Sequence, residues 1–514
     1  MLPRVWVLCC GVFLLGRWSL AGEPLTRQIE TFVDRGAYKD GHWGILVADL
    51  KSGEVLYERS PDKMFAPASV TKLFSVAAAL DAFGADYRFE TPVYARGEID
   101  AQGVLSGDLI LVASGDPNLG GRKGANGEIA YTHSDHIYGD GAELTTADPL
   151  AGLNELAQQV HASGVRHIQG DVLIDDRLFE HAKSSGSGPS LVTPIVVNDN
   201  LIDIVIAPGT AASPASVTCR PTTTSLCVDA QVRTAPAEGE TKIVVESPDE
   251  RSLVIRGQIA ADRKPMLRIH EVGEPASFAR SLFIEALRRA EVGVEASPLA
   301  KNADGRLPER EHYPKLRRVA RLTSSPFSEA AQLILKVSHN LHASMLPLLL
   351  AAKHGERTLD EGLRHERDFL TTAGVDVDTI SFGGAAGGAA ADFVTPRATV
   401  ALLRHMASRP GFAEFERALP VLGHDGTLAH AVAADSPVRG KVRAKTGTLF
   451  WNDRMNGGAI LTSKALAGYM TAASGRRLAF AVFVNNLHTK TADDRERLGK
   501  ALGELCRIVY QNDE

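Results

Sequence analysis

Met64-Phe65-Ala66-Pro67-Ala68-Ser69-Val70-Thr71-Lys72-Leu73-Phe74-Ser75-Val76-Ala77-Ala78-Ala79-Leu80 is a short polar stretch running straight into an Ala-rich apolar one. The apolar run is of helical length and has no polar face, so it predicts a buried helix starting near Ser69. Residues three apart share a helix face, which brings the Lys72 ammonium within reach of the Ser69 hydroxyl. A first-turn position also leaves the Ser69 N–H without an intrahelical acceptor and open to an oxyanion. Ser60-Pro61-Asp62-Lys63 repeats the Ser-x-x-Lys pattern. Pro67 interrupts any helix begun there and no apolar run follows directly, so that copy reads as a turn.

Two further triplets complete a chemical set. Ser338-His339-Asn340 lies in an amphipathic segment, Ser328 to Leu350, where Leu333, Ile334, Val337 and Leu341 recur at helical spacing. Lys445-Thr446-Gly447-Thr448-Leu449 follows Val442-Arg443-Ala444 and reads as a strand in which Gly447 admits another backbone. Taken alone, Ser-x-Asn is ordinary helix-surface polarity and Lys-Thr-Gly an ordinary strand with a glycine bulge. Together they describe acyl transfer: Ser69 as nucleophile, Lys72 as its base, and two polar flanks for a substrate. A lysine acts as a base only when neutral, and an ordinary ammonium with a pKa near 10.4 rarely is at pH 7. Burial and a second cation, Lys445, are the means of lowering it. Ser338 is placed to relay a proton and Asn340 to hold Lys72 or the substrate backbone. An edge strand at Lys445 pairs with an extended peptide, Lys445 and Thr446 meet a terminal carboxylate, and the Thr448 N–H becomes the second oxyanion donor.

This trio resembles that of penicillin-binding proteins and class A β-lactamases. The chain is similar to the D-alanyl-D-alanine carboxypeptidase/endopeptidase group of low-molecular-weight penicillin-binding proteins, the class C or penicillin-binding protein 4 type (peptidase family S13). The 266 positions between Lys72 and Ser338 match that group, which carries two extra domains there. Ser106-Gly107-Asp108-Leu109, Gly115-Asp116-Pro117, Val197-Asn198-Asp199-Asn200, Thr395-Pro396-Arg397 and His424-Asp425-Gly426-Thr427-Leu428 also match. The resemblance implies an α/β fold, a sheet flanked by helices with two nested inserts, and no cofactor or metal. It implies a serine-type carboxypeptidase, also an endopeptidase, acting on peptidoglycan stem peptides and covalently inhibited by β-lactams. Asp175, in Val172-Leu173-Ile174-Asp175-Asp176, resembles a family segment whose acidic residue approaches a substrate amine; a turn aspartate reads equally well. Two stretches depart from the pattern. Phe382 to Ala389 is Gly/Ala-rich where many members have Asp-Gly-Ser-Gly-Leu-Ser, so polar groups are missing from the expected rim, and Phe450 to Gly458 reads as long and irregular. The rival readings are a β-lactamase or esterase of the same fold, and a catalytically weak scaffold that binds peptidoglycan.

Arg4 followed by apolar Val5 to Leu15 and by Ser19-Leu20-Ala21 reads as a secretory signal, residues 1–21, so the mature chain is expected to be exported. No later stretch is apolar enough to span a bilayer, and the amphipathic segment Asp493 to Tyr510 reads as core-packed, leaving membrane association at most peripheral. Outside the signal stand Cys219, Cys227 and Cys506; in an oxidising compartment the first two are spaced to close a loop through a disulfide, with Cys506 buried and free. Among 514 residues, 44% are hydrophobic and the net charge is −6, which suits a large enzyme of several cores and offers no basic stripe for nucleic acid. His339 and His342 share a helix face, but without a zinc motif they read as surface residues.

Sheet signals at both ends predict a common sheet: Trp43 to Leu50 with Val55 to Glu58, and Ala465 to Ala472 with Arg477 to Asn485, each joined at a Ser-Gly turn. The expected domains are therefore residues 22–89 with 312–514 for the catalytic unit, 90–195 with 272–311 for an inserted α/β unit, and 196–271 for a nested β-rich unit.

Overall fold

Strands from the two ends of the chain lie side by side. The computed structural model describes residues 24–124 and 126–512; the expected signal segment 1–21 lies outside the described residues. The terminal strands are β1 (His42–Asp49), β2 (Val55–Arg59), β3 (Val442–Asn452), β4 (Ala459–Thr471), β5 (Arg477–Asn485) and β6 (Leu487–Thr489). Their order is β3-β4-β5-β1-β2, with β6 paired to β4, and every pairing is antiparallel. The strand carrying Lys445 therefore lies at an edge.

Period-two alternation gives this sheet two apolar faces. Leu46, Ala48, Ala479, Ala481 and Phe483 face one core, while Trp43, Ile45, Val47, Phe480 and Val482 face the other. The first core holds helices α1 (Lys72–Phe83), α2 (Phe327–Lys336), α3 (Asn340–Lys353), α4 (Leu359–Thr372) and α5 (Pro396–Ala407). The second is closed by α6 (Ala492–Gln511), whose Leu498, Ala501, Leu502 and Leu505 are buried, as the amphipathic reading expected. In α1, residues 72–80 are all buried, which is why its sequence is apolar on every side.

The insert's main sheet runs Gly293–Val294, His167–Ile168, Val104–Val112, Glu90–Ile99, Arg317–Thr323, with Val172–Asp175 on Val104–Val112. The strand entering the insert and the strand leaving it are zipped antiparallel from Glu90↔Thr323 to Ala95↔Arg317. Residues 317–323, expected in the catalytic unit, thus belong to the insert's sheet. The inner strands, Leu201–Ala207 to Met266–Glu271, form two three-stranded sheets. Ile202, Ile204, Leu253 and Ile255 from these share one core with Leu156, Phe283 and Leu287 of the surrounding insert, so the inner segment does not build a core of its own.

Three local expectations change. The segment 328–350 is two helices, because the chain breaks between α2 and α3 and Ser338 adopts a left-handed φ of 64°. Phe450 and Trp451 are strand residues beyond a bulge at Leu449/Phe450, so only the hairpin tip is irregular. Cys219 and Cys227 are not bonded to each other: Cys219 packs against the insert core, whereas Cys227 is exposed at the start of a strand paired with Ser252–Ala260. Cys506 is buried and free.

Candidate active site

The two strained residues of the site flank its chemistry. Ala68, with φ 46°, precedes Ser69 in a tight turn, Ala68–Thr71, that leads into α1; Ser338 lies at the α2–α3 break. Only one residue of Ser69-Val70-Thr71-Lys72 is in the α-helix proper, but the three-residue spacing still juxtaposes the reactive pair. Lys72 Nζ lies 2.9 Å from Ser69 Oγ, 2.7 Å from Asn340 Oδ1 and 2.6 Å from the Ala386 carbonyl. The two carbonyl oxygens accept both protons of a neutral amine, which leaves its lone pair for the Ser69 O–H. Lys72 is fully buried, and burial, aided by the Lys445 charge, holds it well below the usual lysine range; Asp392 opposes this.

Lys445, also fully buried, donates to Ser338 Oγ at 3.0 Å and to the Thr446 carbonyl at 2.8 Å. Burial and the neighbouring Lys464 charge push it down to about 7. Burial alone lowers Lys464 to about 8. Thr448 and Lys464 are cross-strand partners, and Lys464 Nζ donates to Thr448 Oγ1 at 2.9 Å. Thr446 Oγ1 donates to Thr427 Oγ1 at 2.8 Å. Gly447 is required by packing: a Cβ there would stand 2.4 Å from the Pro67 carbonyl, so the edge strand and the turn bearing Ser69 meet at backbone distance.

Ser69, Ser338, Asn340, Thr446 and Thr448 line one cleft of about 820 Å³. Asp175 is not among the residues lining it. Its carboxylate, at the end of strand Val172–Asp175, accepts from Arg177 Nε, Nη2 and N and from the Tyr313 hydroxyl. The Gly/Ala-rich loop does reach the site, but through its backbone. A Cβ on Gly387 would lie 1.9 Å from the Ala68 carbonyl and one on Gly388 1.7 Å from that of Ser185, so the loop is glycine-rich because it is wedged between the turn bearing Ser69 and the insert. Ser185 Oγ accepts from Ala386 N at 3.3 Å, and Asn340 Nδ2 donates to the Ser187 carbonyl at 2.9 Å. The insert thus brings polar groups to a rim where the loop has none. Tyr138, Ser185, Ser187 and Lys464 belong to no motif, and their distance in sequence from Ser69 gave no signal of their place; Thr427 lies in a stretch singled out above.

Behind Ser338, His339 and His342 are fully buried rather than superficial. They and Asp199 bring ligand-type atoms within 4.8 Å of one another, as do Asp135, His136 and Asp199. The Asp199 carboxylate, however, already accepts from Arg122 Nη2 and contacts His136 Nε2 and His342 Nε2, each at 2.6 Å. His339 Nδ1 accepts the His342 N–H at 3.3 Å. An ion at that place would compete with these contacts beside a guanidinium. Burial pushes His342 down to about 4, so the group is a set of buried ion pairs around Arg122 and His136 that is joined to α3 by the Asp199–His342 hydrogen bond.

The model of the "D-Ala-D-Ala carboxypeptidase 3 (S13) family" matches residues 25–503. A D-alanyl-D-alanine carboxypeptidase of Actinomadura sp. (strain R39) is 28% identical over 91% of this chain and 82% of its own. The D-alanyl-D-alanine carboxypeptidase DacB of Haemophilus influenzae is 23% identical over 88% and 87%. The crystal structure of penicillin-binding protein 4 from H. influenzae superposes with a TM-score of 0.70 at 20% identity, covering 94% of this chain and 99% of that one; its complex with a β-lactam gives 0.69.

Proposed function

We infer the chemistry of this chain from its family: it belongs to the D-Ala-D-Ala carboxypeptidase 3 (S13) family and is a serine-type D-Ala-D-Ala carboxypeptidase. In the proposed reaction Lys72 takes the Ser69 proton as Ser69 Oγ attacks the carbonyl of the penultimate D-Ala. The Ser69 and Thr448 N–H groups receive the oxyanion. Lys445, Thr446 and Gly447 hold the substrate's terminal carboxylate and backbone, and Asn340 keeps Lys72 in line. Ser338 passes the proton to the leaving amine, terminal D-Ala departs, and water releases the acyl-enzyme. The observation that carries this reading is the contact set of Lys72 Nζ, whose two carbonyl acceptors suit a neutral amine 2.9 Å from the nucleophile.

The substrate proposed is the stem peptide of peptidoglycan outside the cytoplasm, with β-lactams acylating Ser69 as mimics of its acyl-D-Ala-D-Ala end. The proposal extends to crosslinks. Past His133 the cleft meets a second depression of about 1010 Å³, which gives room for the second strand of a crosslinked peptide. Among the described residues no helix is long and apolar enough to cross a membrane. The test is covalent labelling of the protein and of Ser69→Ala with a fluorescent penicillin, followed by denaturation and mass measurement. A persistent adduct on Ser69 that the variant lacks is the expected result. A folded protein that neither retains nor consumes penicillin contradicts the mechanism, and fast turnover of the drug favours a β-lactamase.

A further inference from the structure

We propose that Tyr138, on the insert, is a positioning residue for Ser338. The inference rests on the reading of Ser338 as the proton relay. Ser338 adopts its left-handed φ of 64° at the break between two helices, a conformation a serine holds only when its surroundings impose it. The Tyr138 hydroxyl supplies that constraint: it donates to the Ser338 carbonyl at 2.6 Å while the ring lines the catalytic cleft. Fixing this carbonyl fixes the peptide plane and so aims Ser338 Oγ, 3.0 Å from Lys445 Nζ, toward the reacting groups.

Tyr138 is itself firmly held. It ends the short turn His136–Tyr138, whose Ile137 N–H is capped by the Asp135 carboxylate, and Asp135 takes a two-point contact from Arg122 at 2.6 and 3.0 Å. His136 is clamped between Asp199 and Asp203, 2.6 Å from each. Asp199 in turn contacts His342 on α3, the helix that Asn340 begins. Residues 198–200, which carry Asp199, are all left-handed, with φ of 50–55°. The turn bearing Tyr138 and the helix bearing Asn340 are thereby clamped to one another by groups that do not touch the substrate cleft.

A double-mutant cycle tests the assignment. Tyr138→Phe keeps the ring and removes the hydroxyl; Ser338→Ala removes the relay; the pair combines them. Acylation by penicillin is timed by mass, KM and kcat are measured for D-Ala release, and thermal unfolding checks each fold. Tyr138→Phe is expected to slow acylation about three- to tenfold with KM little changed, and to have no further effect in the Ser338→Ala background. The same loss in both backgrounds, or no loss in either, overturns the role of Tyr138. A Ser338→Ala variant as fast as the parent overturns the relay reading itself and the Tyr138 proposal with it.

Discussion

Two buried lysines, Lys72 and Lys445, stand in the candidate site. Lys445 helps to hold Lys72 below the usual lysine range. Lys445→Gln removes that charge, so the pKa of Lys72 rises and the acid limb of the acylation rate moves to higher pH. Penicillin acylation measured from pH 5 to 9 on both proteins checks this; coincident midpoints would show that burial alone sets Lys72. At this scale the motifs were legible, because Ser69 and Lys72 are three residues apart and each triplet carries its own reactive groups. Asp175 shows the limit of such reading. Its sequence neighbourhood cannot reveal that Arg177 and Tyr313 occupy both its oxygens.

Among the elements, the Gly/Ala-rich loop and α4 carry consequences of packing. Gly387 has φ 89° and a Cβ position 1.9 Å from the Ala68 carbonyl, so Gly387→Ala must push the nucleophile's turn away. We expect at least a tenfold drop in acylation, with a loss of about 1–3 kcal/mol in stability measured by denaturant unfolding. Glu366 on α4 is buried, and burial, with the charge of Asp392, raises it to about 8 against the opposing Ser75 hydroxyl. The folded state holds a proton there that the unfolded chain, near 4.5, releases, so stability is lost as pH rises from about 4.5 to about 8. Glu366→Gln should flatten that slope in thermal unfolding across this range; an unchanged slope would place the titration elsewhere. Helix α1 was readable from its apolar sequence, whereas the break at Ser338 was not. Helical periodicity runs on through residues 328–350, and the interruption is held by Tyr138 from a distant part of the chain.

For the whole molecule, the junction between insert and catalytic layer depends on an ion network. Burial and the Arg122 charge push His136 down, but its contacts with Asp199 and Asp203 outweigh them and raise it to about 9. Its contribution to stability is therefore complete below about pH 6.5 and fades as pH rises to about 9, a loss that unfolding of a His136→Asn variant should lack. Asp199→Asn leaves Arg122 buried with one anion fewer and should cost about 3–5 kcal/mol in denaturant unfolding. The sequence by itself pointed to Ser69 and Lys72 as a contacting pair, to both flanking triplets and to the meeting of the two chain ends in one sheet, because local spacing and strand alternation carry those relations. Only the tertiary structure decided the α2–α3 break, the return strand 317–323 in the insert's sheet, and the burial of His339 and His342. It also placed Ser187 and Tyr138 beside Asn340 and Ser338. The physical reason is the same for each: these features depend on partners far away along the chain, and a residue type states what it can bond to without stating what the fold brings within reach.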